Sequence, residues 1–442
     1  MEPPSTLEKK MTSERTIRCD ALVVGGGIAG LQAALDLADQ DFSVVIVERD
    51  LSIGGKMIRL SKVFPTLDCS SCITTPKMAS AAHHDNITIL TWCELRALES
   101  ANGAVTAQVT AMPRFVDEEK CIGCRKCEYA CPVLVPDPEQ GGFSATRAIR
   151  IPFSNAIPQV AALDPDNCML CGRCARACPT GAVDYLQQPR EITINAGTAI
   201  LATGFEMTGP EGKPQYGNGT IPNVITALQM ERILAPHGPY NRVLRPMDGM
   251  EPDSIAFVQC AGSRDLSMGV PYCSRFCCMY AIKQAMLLSG ALPLADIVIY
   301  YMDIRAFGKG YEQFYQTAKA MGIQFVKGKV ARLQAQDGGA VAVHYEAQEG
   351  DGVSVDSHDL VVLSMGVVPH WSPAGICEVS TADDHFIRSV QPSLSPVRTD
   401  LEGVFVAGAA SGPKDIVDSI AEAGAAAMEA SNYLTTVSRQ QG

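Results

Sequence analysis

The sequence predicts an α/β protein built on a Rossmann-like dinucleotide-binding unit that a cysteine-rich insert interrupts. Three observations predict this architecture. A strand–helix–strand pattern near the N-terminus carries a glycine fingerprint, eight cysteines recur in two runs of identical spacing, and apolar strands ending in small residues follow this segment and return near the C-terminus. The 442 residues permit two to four domains.

The first predicted strand is Ala21–Val24, followed by the loop Gly25–Gly30, a helix over Leu31–Ala38 and a strand over Val44–Val47 that leads to Glu48. This is a βαβ unit with the G-x-G-x-x-G fingerprint. Its first glycine permits a tight turn, the second admits a pyrophosphate, and the third allows close helix–strand packing. The acidic residue would accept hydrogen bonds from ribose hydroxyls. We therefore predict a dinucleotide site with its pyrophosphate at the helix N-terminus.

The eight cysteines lie between Pro113 and about Arg190 and repeat the pattern C-x₂-C-x₂-C-x₃-C-P. Each such run gives three thiolates to one [4Fe–4S] cluster and its last thiolate to the other. A zinc site and a disulfide framework are alternatives that the repeated spacing disfavours. The rule predicts one cluster on Cys121, Cys124, Cys127 and Cys178, and a second on Cys168, Cys171, Cys174 and Cys131.

A third group has the less conventional spacing C-x₁₂-C-x₃-C-C and consists of Cys260, Cys273, Cys277 and Cys278. Spacing alone leaves three interpretations open: a further cluster, buried structural cysteines, or a redox disulfide.

The remaining cysteines include a C-x-x-C pair, Cys69 and Cys72, in the loop after the βαβ unit. We consider a redox pair, a role in ligating or shielding a cluster, and simple packing. Cys19, Cys93 and Cys377 are isolated and are predicted to be packing residues.

The later strands resemble those of the flavoprotein disulfide reductase fold, in its thioredoxin-reductase-like form. They are Thr198–Gly204 and Gly403–Gly408, the latter followed by a small-residue helix over Asp415–Ala430. The resemblance implies FAD as the dinucleotide. The candidate FAD-binding residues are Gly25, Gly27, Ile28, Ala29, Gly30, Glu48, Arg49, Gly55, Lys56, Thr203, Gly204, Gly408, Lys414, Asp415 and Ile416.

One position departs from that fold's usual pattern. Relatives commonly carry Gly-Asp after the last strand, whereas this chain has Gly408-Ala409. The carboxylate toward the ribityl chain is therefore missing there, and Asp415 or Asp418 are the candidate substitutes.

A second α/β segment is predicted over about Glu251–Gly366. Its first strand, Ser254–Gln259, runs into Cys260-Ala-Gly-Ser without a second glycine fingerprint. Nicotinamide binding is therefore not expected in this segment.

Together the motifs resemble the A subunit of heterodisulfide reductase, from about residue 17 onward. The segments that carry this resemblance are Gly25–Gly30, Phe64–Cys69 through Pro76–Met78, both cysteine runs, Val258–Arg264, Tyr272–Ala285 and Gly408–Ile416. The resemblance implies that the third cysteine group ligates an unusual [4Fe–4S] cluster, giving three clusters and one FAD. It also implies that Lys283 lies near the reactive nitrogen of the flavin and tunes its potentials; an ordinary surface lysine is the alternative.

The function that the resemblance implies is electron transfer between clusters and FAD within a multi-subunit oxidoreductase of anaerobic metabolism, with electron bifurcation as a further expectation. The implied partners are B- and C-like subunits, hydrogenase-like or formate-dehydrogenase-like donors and ferredoxin, with the chain dimeric inside the complex. The chain is expected to be a short form without the extra N- and C-terminal domains of methanogen members. The rivals are an NAD(P)H oxidoreductase resembling the small subunit of glutamate synthase, and a scaffold with a structural flavin.

The predicted domain division follows these motifs: a disordered lead-in at 1–16, parts of the FAD-binding domain at 17–112, 191–250 and 369–442, the ferredoxin-like insert at 113–190, and a second Rossmann-like domain at 251–368. With 36 basic and 48 acidic side chains the net charge is −12, which disfavours nucleic acid as a partner. The N-terminus resembles no signal peptide and no stretch reaches the roughly 20 apolar residues of a membrane span, so a cytoplasmic location is expected.

Overall fold

The computed structural model describes residues 15–347 and 352–441. The helices are α1 (Ile28–Ala38), α2 (Ser70–His83), α3 (Lys126–Ala130), α4 (Arg173–Ala177), α5 (Ala227–Leu234), α6 (Cys277–Ala291), α7 (Tyr311–Ala320) and α8 (Ile416–Gln441). The strands are β1 (Arg15–Val24), β2 (Val44–Glu48), β3 (Ile87–Thr91), β4 (Cys93–Ala101), β5 (Ala104–Ala111), β6 (Leu134–Pro136), β7 (Ala145–Arg147), β8 (Ile149–Arg150), β9 (Ala162–Leu163), β10 (Arg190–Leu201), β11 (Phe205–Met207), β12 (Val224–Thr226), β13 (Ser254–Val258), β14 (Asp296–Tyr301), β15 (Gln324–Ala335), β16 (Val341–Ala347), β17 (Val353–His358), β18 (Leu360–Leu363), β19 (Val367–Pro369) and β20 (Val404–Val406).

The first sheet has the strand order β3-β2-β1-β10-β5-β4, with β20 also paired to β10. Strands β3, β2, β1, β10 and β20 are parallel, whereas β5 pairs antiparallel with both β10 and β4. Parallel strands that are buried on both faces have nearly continuous apolar sequences. Strand β2, in which every residue is buried, is an example. Helices α1 and α8 cover one face, where alanines such as Ala33 and Ala427 let the two helices pack closely.

Strand β1 is longer than the apolar pattern predicts. Residues 1–14 of the predicted lead-in lie outside the described residues, but Arg15 and Thr16 already pair with Ile192 and Thr193 of β10. The return strand likewise begins at Arg190 rather than Thr198. The extension of β1 is exposed or half-buried, and that of β10 alternates exposed or half-buried residues with buried ones such as Ile192 and Ile194. Pairing between the two strands therefore reveals these extensions better than a continuous apolar run does.

The insert between β5 and β10 is built from two short helices, α3 and α4, and the two-stranded pairs β6-β7 and β8-β9. Its small core includes Val116, Ile149 and Cys174. The insert is anchored on the segment that follows β2: the Ile53 amide donates to the Ile157 carbonyl over 3.1 Å. The loops that hold the eight cysteines are therefore fixed against the first domain.

The second sheet has the order β12-β18-β13-β14-β15-β16-β17, and α5, α6 and α7 pack on one core beside it. Strand β12 pairs with β18 in this sheet. The predicted division placed residues 191–250 with the FAD-binding part, whereas Val224–Thr226 and α5 contribute to the second sheet and its core. Within the described ranges, no helix is both long and apolar enough to cross a bilayer.

Candidate functional site

A cavity of about 530 Å³ opens at the carboxyl ends of β1, β2 and β10. In open α/β sheets this edge is where ligands bind. The opposite wall is formed by the second domain, through α5 and α6. The cavity therefore lies between the two sheets.

The glycine loop has the geometry that a dinucleotide requires. Gly25 has φ +106°, and a side chain there would overlap the Ala202 carbonyl. A Cβ on Gly55 would lie 2.9 Å from the Cα of Gly27, so two loops meet backbone to backbone beside the N-terminus of α1. Bare backbone at a helix N-terminus fits a pyrophosphate.

Most of the predicted FAD-binding residues border this cavity. They are Gly25, Gly27, Ile28, Ala29, Glu48, Arg49, Gly55, Lys56, Thr203, Gly204, Lys414, Asp415 and Ile416. Gly30 and Gly408 do not line it: a Cβ on Gly30 would overlap the Gly25 carbonyl, and one on Gly408 would lie 2.7 Å from the Ala29 side chain. These two glycines permit packing behind the loop.

Glu48 ends β2 as a buried carboxyl. It accepts hydrogen bonds from the Gly26 amide over 2.6 Å and from the Asp50 amide over 2.8 Å. Burial, followed by the negative charge of Asp50, raises the pKa of Glu48 to about 7. A carboxyl on the cavity wall at the end of the second strand fits the ribose contact predicted from the sequence.

The two candidate substitutes for the missing carboxylate differ in position. Asp415 lines the cavity, where its carboxylate accepts from the Tyr311 hydroxyl over 2.5 Å and from the Asp418 amide over 2.9 Å. Asp418 instead forms an ion pair with Arg275 over 3.2 Å and is not among the lining residues. Asp415 is thus the better placed of the two.

Sequence reasoning missed a charged network on the cavity wall. Glu206 forms ion pairs with Lys56 over 3.1 Å and with His370 over 2.9 Å, and His370 is also hydrogen-bonded to Arg49. Burial alone would raise the pKa of Glu206, but the hydrogen bond from His370 and the charge of Lys56 lower it to about 2. Glu206 and His370 lie 164 residues apart, and β11 paired with β19 brings their segments together.

Lys283 is fully buried in the wall of the cavity, so it is not an ordinary surface lysine. Its ammonium forms an ion pair with Glu231 and donates to the Lys62 carbonyl over 2.9 Å. Glu231 also accepts from the amide and hydroxyl of Ser61 and from the side chain of Gln284. Burial opposes ionisation of Glu231, but Lys283 and these donors outweigh it and lower its pKa.

The eight cysteines of the insert surround two small pockets. One is lined by Cys121, Cys124, Cys127 and Cys178, and the other by Cys131, Cys168, Cys171 and Cys174. Each pocket thus receives three thiols from one run and one from the other, as the spacing predicts. Four thiols around an enclosed apolar pocket fit a [4Fe–4S] cluster. Among the described residues, no group of three or more His, Cys, Asp and Glu could hold a single metal ion.

An amide and a hydroxyl reach the sulfurs of each pocket. At the first, the Ala182 amide donates to Cys178 Sγ over 3.3 Å, and the Thr180 hydroxyl lies 3.6 Å from the same sulfur. At the second, the Tyr185 hydroxyl lies 3.0 Å from Cys174 Sγ, and the Leu170 amide donates to Cys168 Sγ over 3.4 Å. Hydrogen bonds to ligand sulfurs and burial set cluster potentials, so these groups would adjust the potential of a cluster held at each pocket.

The structure also places Cys260, Cys273, Cys277 and Cys278 near one another, beside the start of α6. Cys277 and Cys278 are buried at the first turn of α6, and Cys260 follows β13 with φ +55°. This left-handed backbone at Cys260 turns the chain after the strand. Such a conformation is unusual for a residue other than glycine, and it is consistent with a cysteine held in place as a cluster ligand. The donor set suits a four-thiolate cluster site.

The other cysteines are separate from these groups. Cys69 and Cys72 lie at the start of α2, with Cys72 exposed. Cys93 is buried in the core of the first sheet and borders the cavity, while Cys19 and Cys377 pack against that core. The packing role predicted for these three is consistent with their positions.

Comparisons with known proteins agree with both halves of this site. Residues 120–182 match the family described as a 4Fe-4S dicluster domain, and residues 20–69 match the family of FAD dependent oxidoreductases. These matches indicate FAD and [4Fe–4S] clusters as the cofactors.

Solved structures show the same fold. The thioredoxin reductases of T. acidophilum and Lactococcus lactis superpose with a TM-score of 0.53 each, at 15% and 12% identity, covering 95% of this chain and 99% of theirs. At such low identity the likeness concerns the fold alone. It confirms the thioredoxin-reductase-like architecture predicted from the sequence.

Two curated relatives are much more similar in sequence. The A subunit of the H₂:CoB-CoM heterodisulfide,ferredoxin reductase of Methanothermobacter marburgensis is 42% identical over 429 residues, covering 96% of this chain and 65% of the relative. The A subunit of the ferredoxin:CoB-CoM heterodisulfide reductase of Methanosarcina mazei is 44% identical over 434 residues, covering 97% of this chain and 55% of the relative. The chain therefore spans between about half and two thirds of these relatives, and it belongs to the family of heterodisulfide reductase A subunits.

Proposed function

We propose that this chain is the electron-transferring flavoprotein and iron–sulfur subunit of a heterodisulfide-reductase-like oxidoreductase complex. Bound FAD would supply two-electron and one-electron chemistry, and three [4Fe–4S] clusters would supply one-electron steps. The relatives that resemble it are named as A subunits of such reductases.

One observation carries the proposal: a single helix connects the third cysteine group to the FAD cavity. Helix α6 begins with Cys277 and Cys278, and its next turns give Tyr280, Lys283 and Gln284 to the cavity wall. Six residues of helix span about 9 Å, so a cluster at the first turn would lie close to the flavin. This arrangement supports electron exchange between the two.

The chain's own residues have distinct roles in this proposal. Glu48 would orient the ribose, and the helix N-terminus beside Gly27 would hold the pyrophosphate. Burial lowers the pKa of Lys283 whereas Glu231 opposes this shift, and the ammonium held by this pair in the cavity wall would favour the negative charge gained on reduction. The insert would deliver electrons from outside, and its Glu139 forms an ion pair with Arg59 of the cavity wall over 2.9 Å.

The second domain offers poor support for the rival NAD(P)H oxidoreductase. After β13, a side chain on Gly262 would overlap Thr208 and approach the Gly366 amide to 3.2 Å. The backbone that would need to face a nicotinamide pyrophosphate is packed against protein instead. Cys260 occupies the adjoining turn.

The proposed partners follow the family. They are B- and C-like subunits that carry out disulfide, thioester or ring reduction, a hydrogenase-like or formate-dehydrogenase-like donor, and ferredoxin, in a dimeric cytoplasmic complex. Division of an electron pair at the flavin, one electron to a high-potential acceptor and one to ferredoxin, is part of the proposal.

The test uses the chain purified anaerobically with its FAD and iron. Reduced bacterial ferredoxin should bleach the flavin in stopped-flow measurements, whereas NADH and NADPH should not. Cys260→Ser should slow this bleaching and remove about four irons per chain, while the control Cys377→Ser should leave both unchanged. Flavin bleaching by NADPH would favour the rival oxidoreductase, and a flavin that no electron donor reduces through the clusters would favour the scaffold.

A further inference from the structure

Arg275 lies in the loop between Cys273 and helix α6, and the electron pathway above gives it no role. Its guanidinium donates to the Pro413 carbonyl over 3.2 Å and forms an ion pair with Asp418 over 3.2 Å. Pro413 precedes α8 and Asp418 lies in its first turn, on either side of residues 414–416, which line the FAD cavity. One side chain therefore joins the third cysteine group to a segment of the candidate FAD site.

The backbone of Arg275 adopts a turn that also occurs at a cysteine of the insert. Arg275 has φ +61°, and its amide donates to Cys273 Sγ over 3.4 Å. Leu170 of the insert has φ +52°, and its amide donates to Cys168 Sγ over 3.4 Å. In both cases the donor follows the cysteine by two residues. The shared turn supports Cys273 as a cluster ligand, and it fixes the point from which the Arg275 side chain leaves the loop.

The contacts of the guanidinium are individually weak and act as a set. The side chains of Arg275 and Asp418 are 41% and 49% exposed, and an ion pair at such exposure contributes little to stability. The guanidinium carbon also lies 5.1 Å from the centre of the Phe307 ring, within the range of a cation–π contact. A carboxylate, a carbonyl and a ring thus fix the orientation of one planar group. This combination indicates that the side chain positions its loop rather than stabilises the fold.

Two further contacts lie beside Arg275 at the same boundary. Phe276, the next residue, packs edge-on against Phe205 with the ring centres 5.5 Å apart, and both rings line the FAD cavity. Tyr311, at the start of α7, donates to the carboxylate of Asp415 over 2.5 Å. Because neither contact depends on the guanidinium, we expect replacement of Arg275 to loosen its loop without separating the domains.

We propose that Arg275 is a positioning residue that holds the cluster site of Cys273 against the FAD cavity. This role rests on the proposed function, in which the third cysteine group ligates a [4Fe–4S] cluster. In each step one electron passes from the reduced cluster to the flavin, so that the cluster is oxidised and the flavin is reduced, while Arg275 keeps its proton and its bonds. The rate of such a step falls steeply with distance, so a small displacement of the loop would slow it.

The test uses the anaerobically purified holoprotein and two variants that remove either side of the ion pair. Arg275→Asn removes the guanidinium, and asparagine tolerates the left-handed backbone at this position. Asp418→Asn removes the charge of its partner. Both variants should keep about twelve irons and one FAD per chain, yet reduced bacterial ferredoxin should bleach their flavin about tenfold more slowly. The control is Arg398→Asn, which removes an exposed ion pair with Glu429 of α8 and should leave the bleaching rate unchanged.

Redox titrations separate a positioning role from an electrostatic one. Loss of the cation should lower the midpoint potential of the third cluster, and loss of the carboxylate should raise it. An ion pair that only tuned the cluster would change the bleaching rate in opposite directions in the two variants, and this result would overturn the proposal. Positioning slows both variants. Arg275→Lys should restore the potential but not the rate, because an ammonium cannot reproduce the forked contacts of a guanidinium.

Pulsed EPR measures the distance directly. In samples poised with dithionite, the magnetic interaction between the third cluster and the flavin should weaken in both asparagine variants. An undiminished interaction would contradict the positioning role, and so would loss of about four irons from Arg275→Asn, since Arg275 would then be needed to retain the cluster itself. Because this measurement does not require ferredoxin, a wild-type flavin that ferredoxin fails to bleach would count against the proposed function alone.

Discussion

At the scale of single residues, we expect the charges buried around the cavity to adjust the potentials of the bound cofactors. Lys283 and Glu231 are both almost inaccessible to solvent, and each is held by further hydrogen bonds. A buried pair of this kind contributes little net stability, but loss of one partner leaves an uncompensated charge. Such an uncompensated charge in the cavity wall would shift the reduction potential of a bound flavin.

We expect Lys283→Met and Glu231→Gln to shift the FAD midpoint potential in opposite directions. Removing the cation should lower the potential, and removing the carboxylate charge should raise it, each by about 30 mV, equivalent to about 1.4 kcal/mol for two electrons. Spectroelectrochemistry of the FAD-loaded variants measures both. Shifts of the same sign in the two variants would contradict the assignment.

Glu48 is expected to make FAD binding dependent on pH. Its pKa of about 7 in the cavity lies above the ordinary glutamate value of 4.5, so the carboxyl is protonated below pH 7 and ionised above it. Ribose hydroxyls donate to the ionised form. FAD affinity of the apoprotein should therefore rise as pH increases through about 7 and level off above it. Fluorescence titrations from about pH 5.5 to 8.5 test this rise; Glu48→Gln should flatten the profile, and an unchanged slope in that variant would refute the interpretation.

Tyr185 is predicted to raise the potential of the cluster that includes Cys174. Its hydroxyl lies 3.0 Å from that sulfur, and a hydrogen bond to a ligand stabilises the reduced cluster. Tyr185→Phe should lower this cluster's potential by roughly 40 mV, the one-electron equivalent of about 1 kcal/mol. EPR-monitored redox titration measures it. Tyr129→Phe, at a tyrosine that is 79% exposed, is the control and should cause no shift.

At the scale of elements, α1 depends on its close approach to the glycine loop. Gly30 has no space for a side chain, because a Cβ would overlap the Gly25 carbonyl. Gly290, near the end of α6, has no heavy atom within 4 Å of its Cβ position. The two helical glycines form a matched pair.

Gly30→Ala should therefore destabilise the fold by about 1–3 kcal/mol and weaken FAD binding, since α1 must move away from β1. Gly290→Ala should be neutral or stabilising by up to about 1 kcal/mol, since alanine loses less backbone entropy in a helix. Urea unfolding and FAD titration of both variants provide the comparison. Equal destabilisation of the two would argue against the packing explanation.

Local sequence patterns predicted the βαβ unit and the two groups of four cysteines, because the glycine fingerprint and each cysteine run lie within short segments of the chain. They could not predict Glu206, His370 or Glu231 at the cavity, since these residues come from distant strands and helices. The sequence did not predict that β12 belongs to the second sheet, for the same reason. Only the pairing of its three residues with β18 assigns them to that sheet. The burial of Lys283 likewise depends on a partner 52 residues earlier in the chain.

At the scale of the whole molecule, the insert contacts the first domain through the hydrogen bond between Ile53 and Ile157, and it contacts the cavity wall through the ion pair of Glu139 with Arg59. Each of the two cysteine pockets takes one thiol from the other run, which ties the halves of the insert together. If each pocket holds a cluster, a residue of one run would control the cluster of the other, and this gives a specific prediction.

Cys178→Ser should expose the thiols of Cys121, Cys124 and Cys127 in the first run. It should leave the other thiols of the second run, to which Cys178 belongs, protected. Iron should fall from about twelve to about eight per chain. Alkylation and trypsin digestion should then modify the peptide Cys121–Arg125, while Cys174 stays protected. Cys131→Ser is the reciprocal variant and should expose Cys174 instead. Exposure of Cys174 in Cys178→Ser would contradict the shared arrangement.

The buried pair of Glu231 and Lys283 has a mechanical consequence as well. Both residues belong to helices of the second domain, α5 and α6, yet they are hydrogen-bonded to Ser61 and Lys62, in the segment that leaves the first sheet. The contact between the two halves of the molecule thus includes a buried ion pair that lies on the cavity wall. Since the strength of a buried ion pair depends on the charges around it, we expect reduction of a cofactor in the cavity to change how strongly the two halves hold together.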